Sequence, residues 1–136
     1  MTGWVELPSG ARVRGRRLAD LPDEPADLLL ALADGPLPSW EVRRIDWPDF
    51  RVPADRDDAL AALREALRRA RSGDRVEVAC RGGRGRTGTA LAALAVLDGM
   101  DPAAAVPWVR RVYHPRAVET PRQKRWVRSL SPSAGA

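Results

Sequence analysis

Cys80 and Arg86 are the residues whose types and spacing point most clearly to chemistry. Five residues separate them, and three of the five are glycine. A glycine-rich turn lets backbone N–H groups converge on an anion, and a helix that starts at Arg86 adds donors and a partial positive charge. The same field favours a thiolate, so we expect Cys80 to be nucleophilic at neutral pH. The residues expected to bind phosphate are Arg81, Gly82, Gly83, Arg84, Gly85 and Arg86.

This segment also has less specific interpretations. A cysteine at the end of a strand is often only a small buried apolar residue. A glycine-rich turn before a helix can bind a nucleotide, but this one lacks the Gly-Lys-Ser/Thr of a P-loop and the glycine spacing of the dinucleotide fingerprint. The combination of Cys80, five residues, Arg86 and then Thr87 is more specific. It favours covalent phosphoryl transfer, because a phosphate in the turn would place its phosphorus on the sulfur.

These residues need a strand before them and a helix after them, and the hydrophobic pattern predicts both. Apolar residues dominate 75–79 and 86–97, which indicates a short strand and a central buried helix. Strands and helices alternate along the chain, which predicts an α/β fold with a central short twisted sheet flanked by helices in a single compact domain. The other predicted elements are a hairpin at 4–7 and 11–14, a short helix at 28–32, a strand at 40–45, and helices at 55–72, 102–112 and 120–130.

Length and composition limit the class of protein. The 136 residues suit one domain, which we expect to span 1–130, with an atypical, shortened part at 1–40 and a loose tail at 131–136. One Cys excludes an internal disulfide, and one His with one Cys argues against a zinc site. No uncharged apolar stretch reaches membrane-spanning length and the N-terminus lacks a signal-peptide pattern, so we expect no membrane insertion and a cytoplasmic location.

The positive charge is concentrated at one end. Of 23 Lys plus Arg and 18 Asp plus Glu, residues 1–100 hold 16 Arg and 16 acids, so the net charge of +5 lies in 101–136. A basic end can meet nucleic acid, an acidic membrane or a phosphorylated substrate. Stacking on nucleic-acid bases needs aromatic residues among the basic ones, and only Trp108 and Trp126 qualify. Charge alone does not choose among these partners. The arginines around Cys80 favour a phosphorylated protein or a small phosphoester as partner and no nucleic acid, and we leave the oligomeric state open.

The residues from Cys80 to Arg86 resemble the Cys-x5-Arg signature of the protein tyrosine phosphatase superfamily, and Thr87 continues the signature in a typical way. The tripeptide at 47–49, Trp-Pro-Asp, resembles the mobile WPD loop of that family, whose Asp protonates the leaving oxygen. Asp49 precedes Cys80 by 31 residues, which suits the small dual-specificity and Cdc14-like branch. The low-molecular-weight phosphatases carry the Cys near the N-terminus and the acid far downstream, and the rhodanese-like group lacks an upstream WPD loop.

A third segment, 117–123, is similar to the one after the penultimate helix in the same branch. There a Gln lies near the catalytic loop, and the corresponding Gln123 would position the attacking water. A Gln on the surface of a helix is the alternative for this residue. The resemblance covers about 44–130, roughly two-thirds of the chain, whereas 1–40 matches poorly.

The resemblance implies hydrolysis of phosphate monoesters in two steps. Cys80 would attack phosphorus while Asp49 protonates the leaving oxygen, and water, with Asp49 as base, would then cleave the cysteinyl-phosphate. Arg86 and the loop N–H groups would stabilise the phosphoryl oxygens. Thr87 would donate its hydroxyl to the sulfur, and Asp46 is a rival for the acid. The reaction requires no metal and no other cofactor.

Two departures from the family pattern support alternative functions. Ala79 stands where the family usually has a His that orders the loop and supports the thiolate, so turnover should be slower. The extreme case is a phosphate-binding pseudophosphatase. Arg81 and Arg84 add cations beside the cleft, which favours phosphoinositides or other polyphosphates. Solvated loop side chains are the simpler interpretation of these two arginines.

Overall fold

A five-stranded mixed sheet carries four helices in the computed structural model, which describes residues 3–132. The elements follow the chain in an order that places four strands before the first helix. They are β1 (Trp4–Glu6), β2 (Arg12–Arg17), β3 (Leu28–Ala31), β4 (Glu41–Arg44), α1 (Arg56–Arg71), β5 (Val76–Cys80), α2 (Gly85–Leu97), α3 (Pro102–Val112) and α4 (Pro121–Arg128).

The central strand of the sheet is β5, within the order β1-β2-β5-β3-β4. Strands β2 to β5 run parallel, and β1 pairs antiparallel with β2. Cys80 is the last residue of β5, and the register places Arg17 of β2 beside it. Ligands of open α/β sheets bind beyond the carboxyl ends of the parallel strands. The topology therefore places Cys80 at the carboxyl end of the central strand, where a ligand site is expected.

The helices lie on the sheet face that carries Val76, Val78 and Cys80. An ion pair between Arg43 of β4 and Asp58 of α1 helps to hold α1 on this face. All of α2 is buried, because the sequence of this helix is almost wholly apolar after its first turn. Contacts from α1, α3 and α4 surround α2, so the helix behind the Cys80 loop is the centre of the core.

The opposite face is closed by a buried cluster of charges. Glu77 has no exposed surface, and its carboxylate accepts hydrogen bonds from Arg14, Arg16 and the Trp40 indole at 2.7–3.0 Å. Burial raises the pKa of Glu77, but hydrogen bonds and charge from the two arginines outweigh it and hold the pKa below its usual value. The charged cluster covers the middle of the sheet face opposite Val76 and Val78.

The predicted elements are confirmed with one exception. The hairpin, the strand at 40–45 and the later helices match the structure to within a few residues. The short helix at 28–32 is wrong, because Leu28–Ala31 form β3. This strand lies between β4 and β5 and is buried on both faces, so its apolar run is continuous and resembles a buried helical turn. Positions 133–136 of the expected tail lie outside the described residues.

No helix within residues 3–132 combines the length and the apolar character needed to cross a membrane.

Candidate active site

The loop at 81–84 joins β5 to α2, and glycine allows its tight turn. Gly83 adopts φ +68°, in the left-handed region that favours glycine. A Cβ on Gly83 would also lie 3.0 Å from the backbone N of Arg17, so the loop packs closely against β2. A Cβ on Gly85 would overlap the carboxylate of Glu119. Glycines at these two positions let the loop fold over Cys80, which is 2% exposed.

The sulfur of Cys80 accepts two hydrogen bonds from the loop and the helix that follows it. The N–H of Gly83 donates to Sγ at 3.2 Å, and the hydroxyl of Thr87 donates to Sγ at 3.0 Å. Thr87 is itself fully buried in the first turn of α2. Donors on both sides suit a negatively charged sulfur.

Arg86 connects the Cys80 loop to two other segments. Its guanidinium is buried, and Nη1 donates to the carbonyls of Leu32 at 3.2 Å and Trp47 at 2.9 Å. Its Nε lies 3.5 Å from Oδ1 of Asp49. These contacts fix the guanidinium plane and hold the 46–51 segment beside the helix start.

The segment 46–51 is an irregular loop anchored by a tryptophan. Trp47 is buried, packs edge-on against Trp126 with ring centroids 5.4 Å apart, and donates from Nε1 to the carbonyl of Arg51 at 2.7 Å. Asp49 remains exposed at the tip, and its Oδ1 accepts from the N–H of Phe50 at 3.0 Å. Phe50 has φ +61° and is 58% exposed. The loop thus keeps its tryptophan inside and presents its carboxylate to the site.

Gln123 is buried, which excludes the interpretation of a surface helix residue. Its Oε1 accepts from the N–H groups of Glu119 at 2.9 Å and Thr120 at 3.2 Å, as part of the capping box of α4. Its Nε2 donates to the carbonyl of Arg51 at 3.0 Å, which also accepts from Trp47. Gln123 therefore ties α4 to the Asp49 loop.

Seven of the ten expected site residues line one cavity of about 280 Å³, and Gly83, Thr87 and Gln123 lie outside its wall. Asp49, Cys80 and Arg86 all lie on its wall, together with most of the loop. Four arginines and two carboxylates line it, so the net charge of its wall favours an anion. The full lining is Arg17, Asp49, Phe50, Cys80, Arg81, Gly82, Arg84, Gly85, Arg86 and Glu119.

A neighbouring cavity of about 260 Å³ shares Asp49, Arg81 and Arg86 with the first and includes Asp46 on its own wall. Asp46 therefore lies near the site but outside the cavity that holds Cys80. A larger cavity of about 1340 Å³ lies between the hairpin and the end of α1 and shares no lining residue with either. Its arginines are largely engaged, since Arg14 pairs with Glu77 and Arg71 with Asp98.

Sequence reasoning missed several residues of the site. Arg17 and Glu119 line the cavity, and Tyr113 donates its hydroxyl to the carbonyl of Gly83 at 2.5 Å. Arg17 becomes adjacent to Cys80 only through the parallel pairing of β2 with β5. Glu119 lies in the segment 117–123 that resembles the family, but the resemblance implies a role only for Gln123. Nothing local in the sequence indicated Tyr113.

Comparison with known families identifies the chain through this same region. The model of the Swiss Army Knife protein, DSP-PTPase phosphatase domain (PTP-SAK) matches residues 49–135. The match covers more than half of the 136 residues and begins at Asp49. Among curated protein sequences, nothing matches the chain.

Solved structures share the fold. Tk-PTP in its active form is 27% identical, with 88% of this chain and 89% of that chain covered and a TM-score of 0.70. Kinase associated phosphatase (KAP) with its catalytic-site cysteine substituted by serine is 13% identical, with 92% and 90% covered and a TM-score of 0.72. PTPMT1 in complex with PI(5)P is 18% identical, with 93% and 92% covered and a TM-score of 0.62. At these lower identities the last two speak for the fold alone. Because the family match spans most of the chain and both ends of the candidate site, the protein belongs to the small dual-specificity branch of the protein tyrosine phosphatase superfamily and is a phosphatase.

Proposed function

We propose that this enzyme hydrolyses phosphate monoesters of protein-tyrosine or dual-specificity type through a cysteinyl-phosphate, with Cys80 as nucleophile, Asp49 as general acid and base, and Arg86 as phosphate clamp. The observation that carries the proposal is the meeting of these three residues on one cavity of about 280 Å³. The sulfur accepts from Gly83 and Thr87, and the acid loop is held beside Arg86.

In the first step, the Cys80 thiolate attacks phosphorus as the bond between phosphorus and the ester oxygen breaks. An S–P bond forms, and the proton of Asp49 passes to the departing oxygen, so that an alcohol or phenol leaves. Asp49 suits this role because its side chain is exposed at the cavity wall. Asp46 lies outside that wall, in the neighbouring cavity.

In the second step, water attacks the phosphorus and gives its proton to the Asp49 carboxylate. The S–P bond breaks, inorganic phosphate is released, and the thiolate returns to its two donors, of which the Thr87 hydroxyl makes sulfur the better leaving group. Gln123 would orient this water only after Nε2 releases the Arg51 carbonyl. The role that we assign to Gln123 in the resting enzyme is to hold the acid loop.

Arg86 and the loop backbone stabilise the charge on the phosphoryl oxygens in both steps. Nη1 of Arg86 is engaged by two carbonyls, so Nε and Nη2 are the nitrogens that would grip two oxygens of the phosphoryl group. The amide groups of 81–85 would supply further donors. No metal ion and no other cofactor enters either step.

Asp49→Asn should lower kcat about 100-fold on phenyl phosphate with little change in KM, because the amide keeps the shape but cannot supply a proton. The loss should be smaller on p-nitrophenyl phosphate, whose leaving group needs less protonation. Steady-state kinetics on both substrates measure the difference. Asp46→Asn is the matched control and should stay within about twofold of the parent enzyme. A larger loss in the Asp46 variant would transfer the acid role to that residue.

A polyphosphorylated substrate is the second candidate, and the rim of the cavity supports it. Arg17, Arg81 and Arg84 all line the cavity beside Cys80, and each is exposed. Arg81 makes a long hydrogen bond of 3.3 Å from Nε to the carbonyl of Asp34. The Arg17 guanidinium is paired with the carboxylate of Asp20 at 2.7 Å. The guanidinium groups of Arg81 and Arg84 at this mouth would favour a ligand with more than one phosphate. PTPMT1, a protein with this fold, is known in complex with PI(5)P.

An Arg81→Ala/Arg84→Ala double variant should lower the ratio of kcat/KM on an inositol polyphosphate to kcat/KM on an aryl phosphate about tenfold. Two cations are lost that only the additional phosphates would meet. The control removes equal charge elsewhere through Arg64→Ala/Arg111→Ala, on the exposed surfaces of α1 and α3, and should leave the ratio unchanged. An unchanged ratio in the Arg81/Arg84 variant would exclude the polyphosphate candidate.

A further inference from the structure

Tyr113 is a buried side chain whose hydroxyl contacts the Cys80 loop. It follows α3 as the C-cap residue, 8% exposed, and its hydroxyl donates to the carbonyl of Gly83 at 2.5 Å. Thirty residues of chain separate the two partners. The hydrogen bond therefore joins the Cys80 loop to the C-terminal end of α3.

The fold makes specific room for this tyrosine. Gly15 lies in the middle of β2, and a Cβ there would be 2.6–2.9 Å from three atoms at the hydroxyl end of Tyr113. The absence of a side chain at Gly15 lets the ring reach beneath the loop. Burial, with a smaller effect of charge on Cys80, raises the pKa of Tyr113 far above its usual value. The hydroxyl therefore keeps its proton and acts as a donor throughout the neutral pH range.

One hydrogen bond at the Gly83 carbonyl also determines where the next amide points. Peptide bonds are planar, and no described residue has a cis bond. The N–H of Arg84 consequently points opposite to the carbonyl of Gly83, away from Tyr113. Arg84 lies on the wall of the cavity that holds Cys80. Meanwhile the N–H of Gly83 is directed at the sulfur, so the two successive peptide groups are both fixed.

We propose that Tyr113 is a positioning residue that fixes the Gly83–Arg84 peptide so that the Arg84 N–H donates to the bound phosphoryl group. The inference rests on the proposed function. Ala79, which immediately precedes the nucleophile, carries no polar side-chain atom, and Tyr113 supports the loop from the helical side of the sheet instead. It acts on the loop through the carbonyl of Gly83.

Tyr113→Phe tests the proposal, because phenylalanine keeps the ring in the Gly15 space and removes only the donor. Cys80 is the only cysteine, so the rate of its alkylation by iodoacetamide, titrated with inorganic phosphate, gives a phosphate Kd without any substrate. We expect the variant to raise this Kd about tenfold and to lower kcat/KM on an aryl phosphate by a similar factor, as for a weakened oxyanion donor. Ser72→Ala is the control. It removes another hydroxyl-to-carbonyl hydrogen bond, at the end of α1, near the opposite end of the sheet.

A merely structural role would lower the melting temperature of Tyr113→Phe while leaving the phosphate Kd within twofold of the parent, and that result would overturn the proposal. If phosphate fails to protect Cys80 even in the parent enzyme, the proposed function fails first. Should the variant not fold, hydrogen exchange on the parent enzyme decides. Phosphate should slow exchange of the Arg84 amide at least tenfold, and unchanged exchange would overturn the role of Tyr113.

Discussion

Cys80→Ser should reduce kcat on an aryl phosphate by at least about 10⁴-fold, because a serine hydroxyl is far less ionised at neutral pH than a cysteine thiol. The substitution is nearly isosteric, and Gly83 and Thr87 can still donate to the oxygen. The fold and the phosphate site should therefore persist. Isothermal titration with inorganic phosphate and steady-state kinetics measure the two properties separately.

A rapid-quench experiment on the parent enzyme provides the positive counterpart. Mass spectrometry should find one phosphoryl group on Cys80 during turnover and none in the serine variant. Activity in Cys80→Ser above about 1% of the parent value would contradict a cysteinyl-phosphate pathway. Loss of phosphate binding together with loss of activity would instead indicate that the loop had collapsed.

Arg86→Lys should lower kcat/KM about 100- to 1000-fold, even though the charge is retained. An ammonium group cannot bridge two phosphoryl oxygens as a planar guanidinium does. The lysine also cannot reach the carbonyls of Leu32 and Trp47 at once, so the acid loop loses its support on the helix side. Kinetics on an aryl phosphate and thermal unfolding of both proteins check this result.

The matched control for this change is Arg64→Lys, an exposed residue on α1, which should leave both kcat/KM and the melting temperature unaltered. The expected loss of kcat/KM in Arg86→Lys has two sources, and comparing substrates with different leaving groups distinguishes them. Loss of the phosphate grip affects every substrate equally, whereas a displaced acid loop affects poor leaving groups most. An Arg86→Lys enzyme with more than half of the parent activity would refute the clamp role.

The parts of the site that are local in sequence could be predicted from sequence. Cys80, the glycine turn and Arg86 lie within seven residues, and their spacing carries the geometry of a strand, a turn and a helix start. Asp49 could also be predicted, because Trp47 and Pro48 precede it in the pattern of the WPD loop. Their convergence on one cavity agrees with the structure, although the chemical role of each stays a prediction.

The parts that depend on pairing between distant segments could not be predicted. Arg17 reaches the cavity through strand register, and Tyr113 reaches the loop through a glycine in another strand. The apolar run at 28–32 predicts a short helix when it is considered alone, because only its pairing with a strand on each side makes it a strand. Ala79 illustrates the same limit. The sequence shows that the His usual at this position is absent, but it does not indicate that the Tyr113 hydroxyl, at the end of α3, donates to the loop.

The carbonyl of Arg51 has a consequence for how variation in this chain should be interpreted. Trp47 and Gln123 both donate to this one oxygen. The conformation of the acid loop therefore depends on a main-chain carbonyl, which any amino acid at position 51 would supply. A substitution scan at position 51 would find tolerance and suggest an unimportant residue. The dependence becomes visible only at the two donors, one of which lies 72 residues further along the chain. Tolerance to substitution at a position therefore reports on the side chain alone, whereas in this loop the main-chain carbonyl makes the hydrogen bonds that fix the conformation.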